Sequence, residues 1–233
     1  MIYVMSDLHG LYDLYMDMLD KIKLKNDDTL YILGDVTDRG EGGVKILLDM
    51  MERKNIVPIL GNHEYMAYNT LKKLNFPITE ENYDKHLDAE TMEIFGNWIY
   101  NGGWPTCQSF SESDEDVKEK ILDYLGGFEI YKELDVHGKS FVLVHGGFKD
   151  FRPDKPLDEY STAELVWGRC DYSRKYYPDK YLVTGHTPTQ CIAPGYKGRI
   201  YKKNNHIAID CGASYFGRLG CICLDTFEEF YVK

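Results

Sequence analysis

Seven histidines are present, and four of them sit in turns rich in glycine, aspartate or asparagine, each just after an apolar run. They are His9 in Ser-Asp-Leu-His-Gly, His63 in Gly-Asn-His-Glu, His145 in His-Gly-Gly and His186 in Gly-His-Thr-Pro. Asp7, Asp35 and Asn62 accompany them. Imidazole, carboxylate and amide oxygen together form the mixed nitrogen and oxygen donor set that first-row divalent metals take. Asp7 and His9, two residues apart, project from one face of an extended segment and can chelate one ion together. A further segment, Gly34-Asp35-Val36-Thr37-Asp38-Arg39-Gly40, offers two carboxylates three apart and an arginine. A carboxylate can bridge two cations, and the planar guanidinium of Arg39 suits phosphate oxygens. Standing alone, this loop would read as a turn closed by an Asp–Arg ion pair. Its company of four strand-end histidines argues for more.

The elements that must position these residues follow from hydrophobic periodicity. Ile2 to Met5 is a short apolar run, followed by a helix with Leu11, Leu14, Tyr15, Met18, Leu19 and Ile22 on one face. Leu30 to Leu33 reads as a second strand, Val44 to Met51 as a helix, and Ile56 to Leu60 as a third strand. The polar motifs therefore recur just past the carboxyl ends of strands, where open α/β sheets place their ligands. From Tyr65 to about Leu125 the pattern becomes polar and helix-biased, interrupted by Gly102-Gly103; the acidic stretch Ser111 to Glu119 reads as a solvated helix start. Ile130 to Val136 and Ser140 to Val144 form a hairpin with His137-Gly138 as its turn pair. Further strands are expected at Tyr181 to Thr184, His206 to Asp210, Leu219 to Leu224 and Phe227 to Val232. With no linker, repeat or low-complexity tract, the 233 residues read as a single domain spanning 1–233, with a helix-biased, cleft-shaping region around 65–127.

Composition narrows the function classes. A chain with 43% hydrophobic and 28% charged residues is neither a disordered tail nor a small disulfide scaffold. Its formal charge of −11 makes it a poor non-specific binder of phosphate backbones, so bulk nucleic acid is an unlikely partner. No run approaches the ~20 apolar residues that span a bilayer, and the first residues resemble a core strand more than a leader. The expectation is a cytoplasmic protein without a membrane partner, favoured as a monomer. The six cysteines form no Cys-x-x-Cys pair and read as small buried hydrophobes in a reducing compartment.

The motifs, in order, resemble the phosphoprotein phosphatases within the calcineurin-like dinuclear metallophosphoesterases. Ser6-Asp7-Leu8-His9-Gly10, Gly34 to Gly40, Gly61-Asn62-His63-Glu64, His145-Gly146-Gly147 and Gly185-His186-Thr187 carry the resemblance, which extends to Trp167-Gly168-Arg169 and Asp210-Cys211-Gly212-Ala213. The short length and Asn101-Gly102-Gly103 are more similar to the bacterial and phage branch. Ser6 stands where the family usually has glycine and Thr37 where it has valine; neither change removes a ligand. The resemblance implies an α/β fold of two mixed β-sheets sandwiched between helices (α/β/β/α). It also implies two divalent metal ions, manganese first with iron or zinc possible. Asp7 and His9 would hold the first metal, Asp35 would bridge, and Asn62, His145 and His186 would complete the second. Arg39, Asn62, His63 and Arg169 would line the phosphate. Asp38 would orient His63, the proton donor to the leaving group. Asp210 would stand behind the ligands or cap a strand end.

The chemistry that this set suits is phosphoester hydrolysis. Two metals ~3.5–4 Å apart acidify a bridging water and clamp the phosphoryl group, while arginines neutralise its equatorial oxygens. A histidine tied to a carboxylate can protonate the leaving oxygen near neutral pH. No cysteine nucleophile fits: Cys170 and Arg174 are four apart, where a thiol phosphatase needs a Cys-x5-Arg loop. The first reading of function is dephosphorylation of phosphoserine and phosphothreonine in proteins. The alternative is symmetrical hydrolysis of dinucleoside tetraphosphates, with a small phosphorylated molecule as partner. A nuclease or phosphodiesterase reading is weaker, because Pro188 falls where that group has a second histidine, and a non-catalytic binding module weaker still.

Overall fold

The computed structural model describes residues 1–75 and 88–233. Among these described residues, ten strands form two five-stranded sheets. In the first, β1 (Ile2–Met5), β2 (Thr29–Leu33) and β3 (Ile56–Ile59) run parallel, while β9 (Leu219–Cys223) pairs antiparallel with β1 and β10 (Glu229–Val232) with β9. In the second, β5 (Lys139–Val144), β6 (Lys180–Thr184) and β8 (His206–Ala208) run parallel. There β4 (Tyr131–Val136) and β7 (Tyr201–Lys203) close the edges antiparallel. Both sheets are mixed, as expected. The strand at Tyr201–Lys203 has no signal in the sequence, because its three residues show no apolar alternation and two are exposed lysines.

Alternation of side chains across each strand sends Val4, Tyr31, Leu33 and Ile59 toward Phe141, Leu143, Val183 and Ile207, and these fuse into the core between the sheets. The opposite face of the first sheet, including Met5, Leu30 and Ile32, packs under helices α1 (Tyr12–Ile22), α2 (Gly43–Glu52) and α3 (Asn62–Leu74). The helices α4 (Ala89–Trp98), α5 (Trp104–Ser111) and α6 (Glu115–Gly126) join the same layer, with a π-type turn over Ile99–Gly103 linking the first two. The second sheet's outer face is covered more thinly, by the short helix α7 (Thr162–Trp167) and by an aromatic cluster of Phe148, Tyr160 and Tyr176. Of the cysteines, 170, 211, 221 and 223 are buried, whereas Cys191 is exposed and departs from the expectation of small buried hydrophobes. Among the described residues no helix is long and apolar enough to cross a membrane.

This topology fixes where chemistry can occur. The parallel trio of each sheet ends at a common edge, so the residues that follow β1, β2, β3, β5, β6 and β8 gather on one side. The hairpin turn at His137-Gly138 takes positive φ at both positions, 48° and 77°, as a two-residue connection between twisted strands requires.

His206 on β8 illustrates a histidine used as core. It is 1% exposed, lies flat against Tyr172, and shares a 2.9 Å hydrogen bond with Thr184 Oγ1 through Nε2. Burial pushes its pKa down to about 3, so the native state binds fewer protons than the unfolded chain below about pH 6.5. Stability is therefore expected to fall with pH from about 6.5 downward. Urea midpoints of His206→Gln measured at pH 7 and pH 4.5 should show a smaller drop than the wild-type protein.

Candidate metal centre

Each donor arrives at the end of a buried strand. Asp7 follows β1, Asp35 follows β2, Asn62 opens α3 just after β3, His145 follows β5, His186 follows β6 and Asp210 follows β8. All but His186 are buried, and His186 is half-buried. The strand ends are sharply bent: Asp7, His9, Asp35, Asp38, Arg39 and His186 all take φ between 46° and 71°. Non-glycine residues in this region cost roughly 1–3 kcal/mol each when strained, and they concentrate at sites where the bend aims a side chain. Gly34 and Gly61 allow two of these turns to touch backbone to backbone; a Cβ on Gly34 would lie 2.4 Å from Gly61 Cα.

Asp35 is the hub. Ligand atoms of His9, Asp35 and His63 lie within 4.8 Å of one another, and so do those of Asp35, His145 and His186. Two candidate cation sites thus share one carboxylate. Asp35 Oδ1 lies 3.2 Å from His145 Nε2, and Oδ2 lies 3.7 Å from His9 Nε2 and 3.8 Å from His63 Nε2. Asn62 Oδ1 is 2.9 Å from His145 Nε2. Asp7 stands on the opposite wall, where its Oδ2 accepts the His186 backbone N–H at 3.1 Å. His63, for which the resemblance implies a place at the phosphate and the role of proton donor to the leaving group, also brings a ligand atom within 4.8 Å of those of His9 and Asp35.

Three imidazoles are aimed in the same manner. The Nδ1–H of His145 donates to Leu33 O at 2.6 Å, that of His9 to Thr37 O at 3.3 Å, and that of His63 to Asp38 Oδ2 at 2.6 Å. Each therefore turns Nε2 toward Asp35, the orientation that outer acceptors impose on metal-binding histidines. Burial pushes His9 and His186 down to about 3, which keeps both neutral and able to donate a lone pair. Burial works against protonation of His145 and His63 too, but Asp35 and its neighbouring carboxylates outweigh it and raise both, His145 to about 10. Burial, with Asp210 and Asp35 nearby, raises Asp7 well above the usual carboxylate range, and burial raises Asp210 to about 6. For Asp35 the burial penalty is overcome by His145 and His63, and the carboxyl is held well below its ordinary value. Three buried carboxylates among imidazoles make a donor set that fits divalent cations.

The two arginines flank this set. Arg39 donates through Nη1 to Ser214 Oγ at 2.9 Å, lies 3.3 Å from His63 Nε2 through Nη2, and rests over the Tyr215 ring at 5.3 Å. Arg169 donates to Thr187 Oγ1 at 3.2 Å. Both line a cavity of about 120 Å³ together with every donor but His145, which lies behind its wall. Asp210 lines it as well while its Oδ1 accepts Gly212 N–H at 2.8 Å, so the strand-end cap and the site wall are one residue. Ser214 and Tyr215 escaped the sequence reading, since a serine and a tyrosine after Asp-Cys-Gly-Ala carry no spacing signal.

Glu64 is the larger omission. It is fully buried, and its carboxylate accepts the backbone N–H groups of Asp35, Val36 and Thr37 at 2.7, 2.8 and 3.0 Å, plus the Thr37 hydroxyl at 2.9 Å. One side chain thereby holds the loop that carries Asp35, Asp38 and Arg39. Its place beside His63 in Gly-Asn-His-Glu was the available clue. Glu64→Gln keeps the volume but replaces an acceptor oxygen by an NH2 that meets N–H donors. It is expected to cost about 2–4 kcal/mol of stability and to lower metal content, checked by denaturant unfolding and metal analysis.

Comparison with known proteins agrees with this geometry. The calcineurin-like phosphoesterase family model matches residues 1–212. A symmetrical bis(5'-nucleosyl)-tetraphosphatase of Wigglesworthia glossinidia brevipalpis is 35% identical over 42% of this chain, and the match spans only 36% of that relative's length. Serine/threonine-protein phosphatase 2 of Salmonella typhimurium is 27% identical over 72% of this chain and 67% of its own. An asymmetrical bis(5'-nucleosyl)-tetraphosphatase of Geobacillus thermodenitrificans is 25% identical over 93% of this chain and 87% of its own. With nine-tenths of its residues matched by one family model and the family's donor types gathered at one strand edge, the chain belongs to the calcineurin-like phosphoesterases.

Proposed function

We propose that this chain is a single-domain, metal-dependent hydrolase of dinucleoside tetraphosphates, cleaving a phosphoanhydride at the Asp35 centre. The observation that carries the nucleotide reading is the space beside the centre. Past Asn101 and Trp167, which wall both, the small cavity adjoins a second hollow of about 560 Å³. Tyr65, Ile94 and Trp167 offer it apolar and aromatic surface, Asn69 and Asn97 offer amides, and Lys73 a cation. Such a wall suits a nucleobase, which stacks on one face and hydrogen-bonds at its edge. The sequence reading placed phosphoproteins first; the relatives named as bis(5'-nucleosyl)-tetraphosphatases reverse that order. Protein phosphatase activity is the second reading, favoured by the Salmonella relative.

In this reading Asp7, His9, Asp35, Asn62, His145 and His186 hold two divalent cations, of which manganese, iron and zinc all suit the donors. Bound there, the cations supply an acidified water as nucleophile and a clamp on the phosphoryl oxygens. Arg39, Asn62 and Arg169 bind and orient the phosphate. His63, whose proton is retained through Asp35 and Asp38, gives that proton to the leaving oxygen from Nε2. The residues of 65–75 and 88–127 shape the cleft and select the substrate, residues 76–87 of the expected cleft-shaping region lying outside those described.

Three measurements test this. With Mn²⁺ present, kcat/KM on diadenosine tetraphosphate should exceed that on a phosphothreonine peptide; the reverse result restores the protein phosphatase reading. His63→Asn should retain both metal ions while lowering kcat about 10²–10⁴-fold on the alkoxide-releasing phosphopeptide. The loss should be much smaller on the dinucleotide, whose leaving phosphate ionises with a pKa of about 6. Loss of metal from His63→Asn would instead make His63 a ligand. Asp35→Asn should abolish both metal content and activity, because it weakens the one carboxylate shared by both candidate sites.

A further inference from the structure

The helical run from Ala89 to Ser111 was expected to shape the cleft, yet three of its residues reach behind the catalytic loop. Trp98, Gly102 and Thr106 stand four apart in sequence, where the run bends at Gly102 (φ 101°) through the π-type turn, and each meets the loop that carries Asp38 and Arg39. Trp98 Nε1–H donates to Asp38 Oδ2 at 2.8 Å. Gly102 O accepts Arg39 N–H at 2.8 Å, and Thr106 Oγ1 accepts Asp38 N–H at 2.8 Å. Asp38 and Trp98 are both fully buried. The indole is boxed from behind: a Cβ on Gly103 would lie 2.5 Å from its Nε1 and Cε2.

The indole donates to the same oxygen that receives His63 Nδ1–H at 2.6 Å, while Asp38 Oδ1 has no hydrogen-bond partner among the described residues. A tryptophan merely satisfying its own N–H could use either oxygen. Two donors converging on one oxygen fix the rotation of the carboxylate, and with it the plane of the imidazole. Trp Nε1 is a donor only and does not titrate near neutrality, so this restraint holds in every protonation state of its neighbours.

We propose that Trp98 is a positioning residue, whose boxed indole N–H locks the Asp38 carboxylate against His63 and so aims the imidazole Nε2 at the leaving oxygen. The aim at a leaving oxygen rests on the reading of His63 as proton donor; the lock on Asp38 does not.

The test is a double-mutant cycle on the manganese-loaded protein with Trp98→Phe, Asp38→Ala and the double variant, assayed on phenyl phosphate and p-nitrophenyl phosphate. Trp98→Phe should lower kcat on phenyl phosphate roughly tenfold, the worth of a hydrogen bond to a charged group. KM and metal content should stay unchanged, and the loss on p-nitrophenyl phosphate, whose phenolate leaves readily, should be smaller. In the Asp38→Ala background, which leaves no oxygen to accept the indole N–H, the same substitution should cost nothing further. An equal loss in both backgrounds, or no loss in either, overturns the proposal and leaves Trp98 as packing. If Trp98→Phe fails to fold, a benzothienylalanine at position 98 exchanges only the N–H for sulfur at constant shape, and the same outcomes decide. His63→Asn is run alongside. Should its loss be equal on both substrates, the acid reading fails, and the coupling between Trp98 and Asp38 still decides whether the lock exists.

Discussion

Everything at the centre depends on keeping the Asp35 carboxylate ionised although it is almost wholly buried. An isolated buried carboxylate would take a proton, since burial penalises its charge. Asp35 does not, because the imidazoles of His145, His63 and His9 surround it and hold its carboxyl well below the ordinary range. That arrangement explains why the neighbours are histidines, with Nδ1 tied to outer acceptors and Nε2 turned inward. It also explains why Asp7, farther from the imidazoles and nearer to Asp210, shifts in the opposite direction. The same hub sets the division of labour, as one carboxylate belongs to both candidate cation sites.

The hub is in turn held by what lies beneath it. Glu64 gathers three consecutive backbone N–H groups of the Asp35 loop, so a second buried carboxylate, held by these hydrogen bonds and by the nearby His63 and His145, fixes the backbone of the first. Burial raises the Glu64 pKa, while its bonds to the Thr37 backbone oppose the rise. The left-handed φ values of Asp35, Asp38 and Arg39 are the local cost of this grip. Relaxing the loop would free that strain and scatter the site, so the strain and the function are two sides of one geometry.

Much of this was legible before the structure. The strands that carry Asp7, Asp35 and His145 announce themselves as apolar runs ending in polar turns, because a buried parallel strand has no polar face to hide. The donor types and their order could be read for the same reason: chemistry constrains them at fixed offsets from a strand end. What could not be read is side-chain reach across long separations. Trp98 lies 60 residues from Asp38 and Ser214 lies 175 from Arg39, and neither residue type carries a periodic signature. The hollow beside the centre was equally invisible, because Tyr65 and Asn97 look like ordinary helix positions until α3 and α4 are laid side by side.

One feature of the topology has a bearing on how the chain acquires its centre. β1, which ends at Asp7, is an interior strand whose neighbours are β2 on one side and β9, residues 219–223, on the other. The donors themselves are spread from position 7 to position 186. Contacts of such long sequence separation form late, since loop-closure entropy opposes them until many others are in place. A chain growing from the ribosome therefore carries Asp7, His9 and Asp35 unassembled until the donors that follow β5 and β6 have been made. It closes the first sheet around Asp7 only when Leu219 to Cys223 arrive. The donors of this fold thus wait on a strand that follows every one of them in the chain.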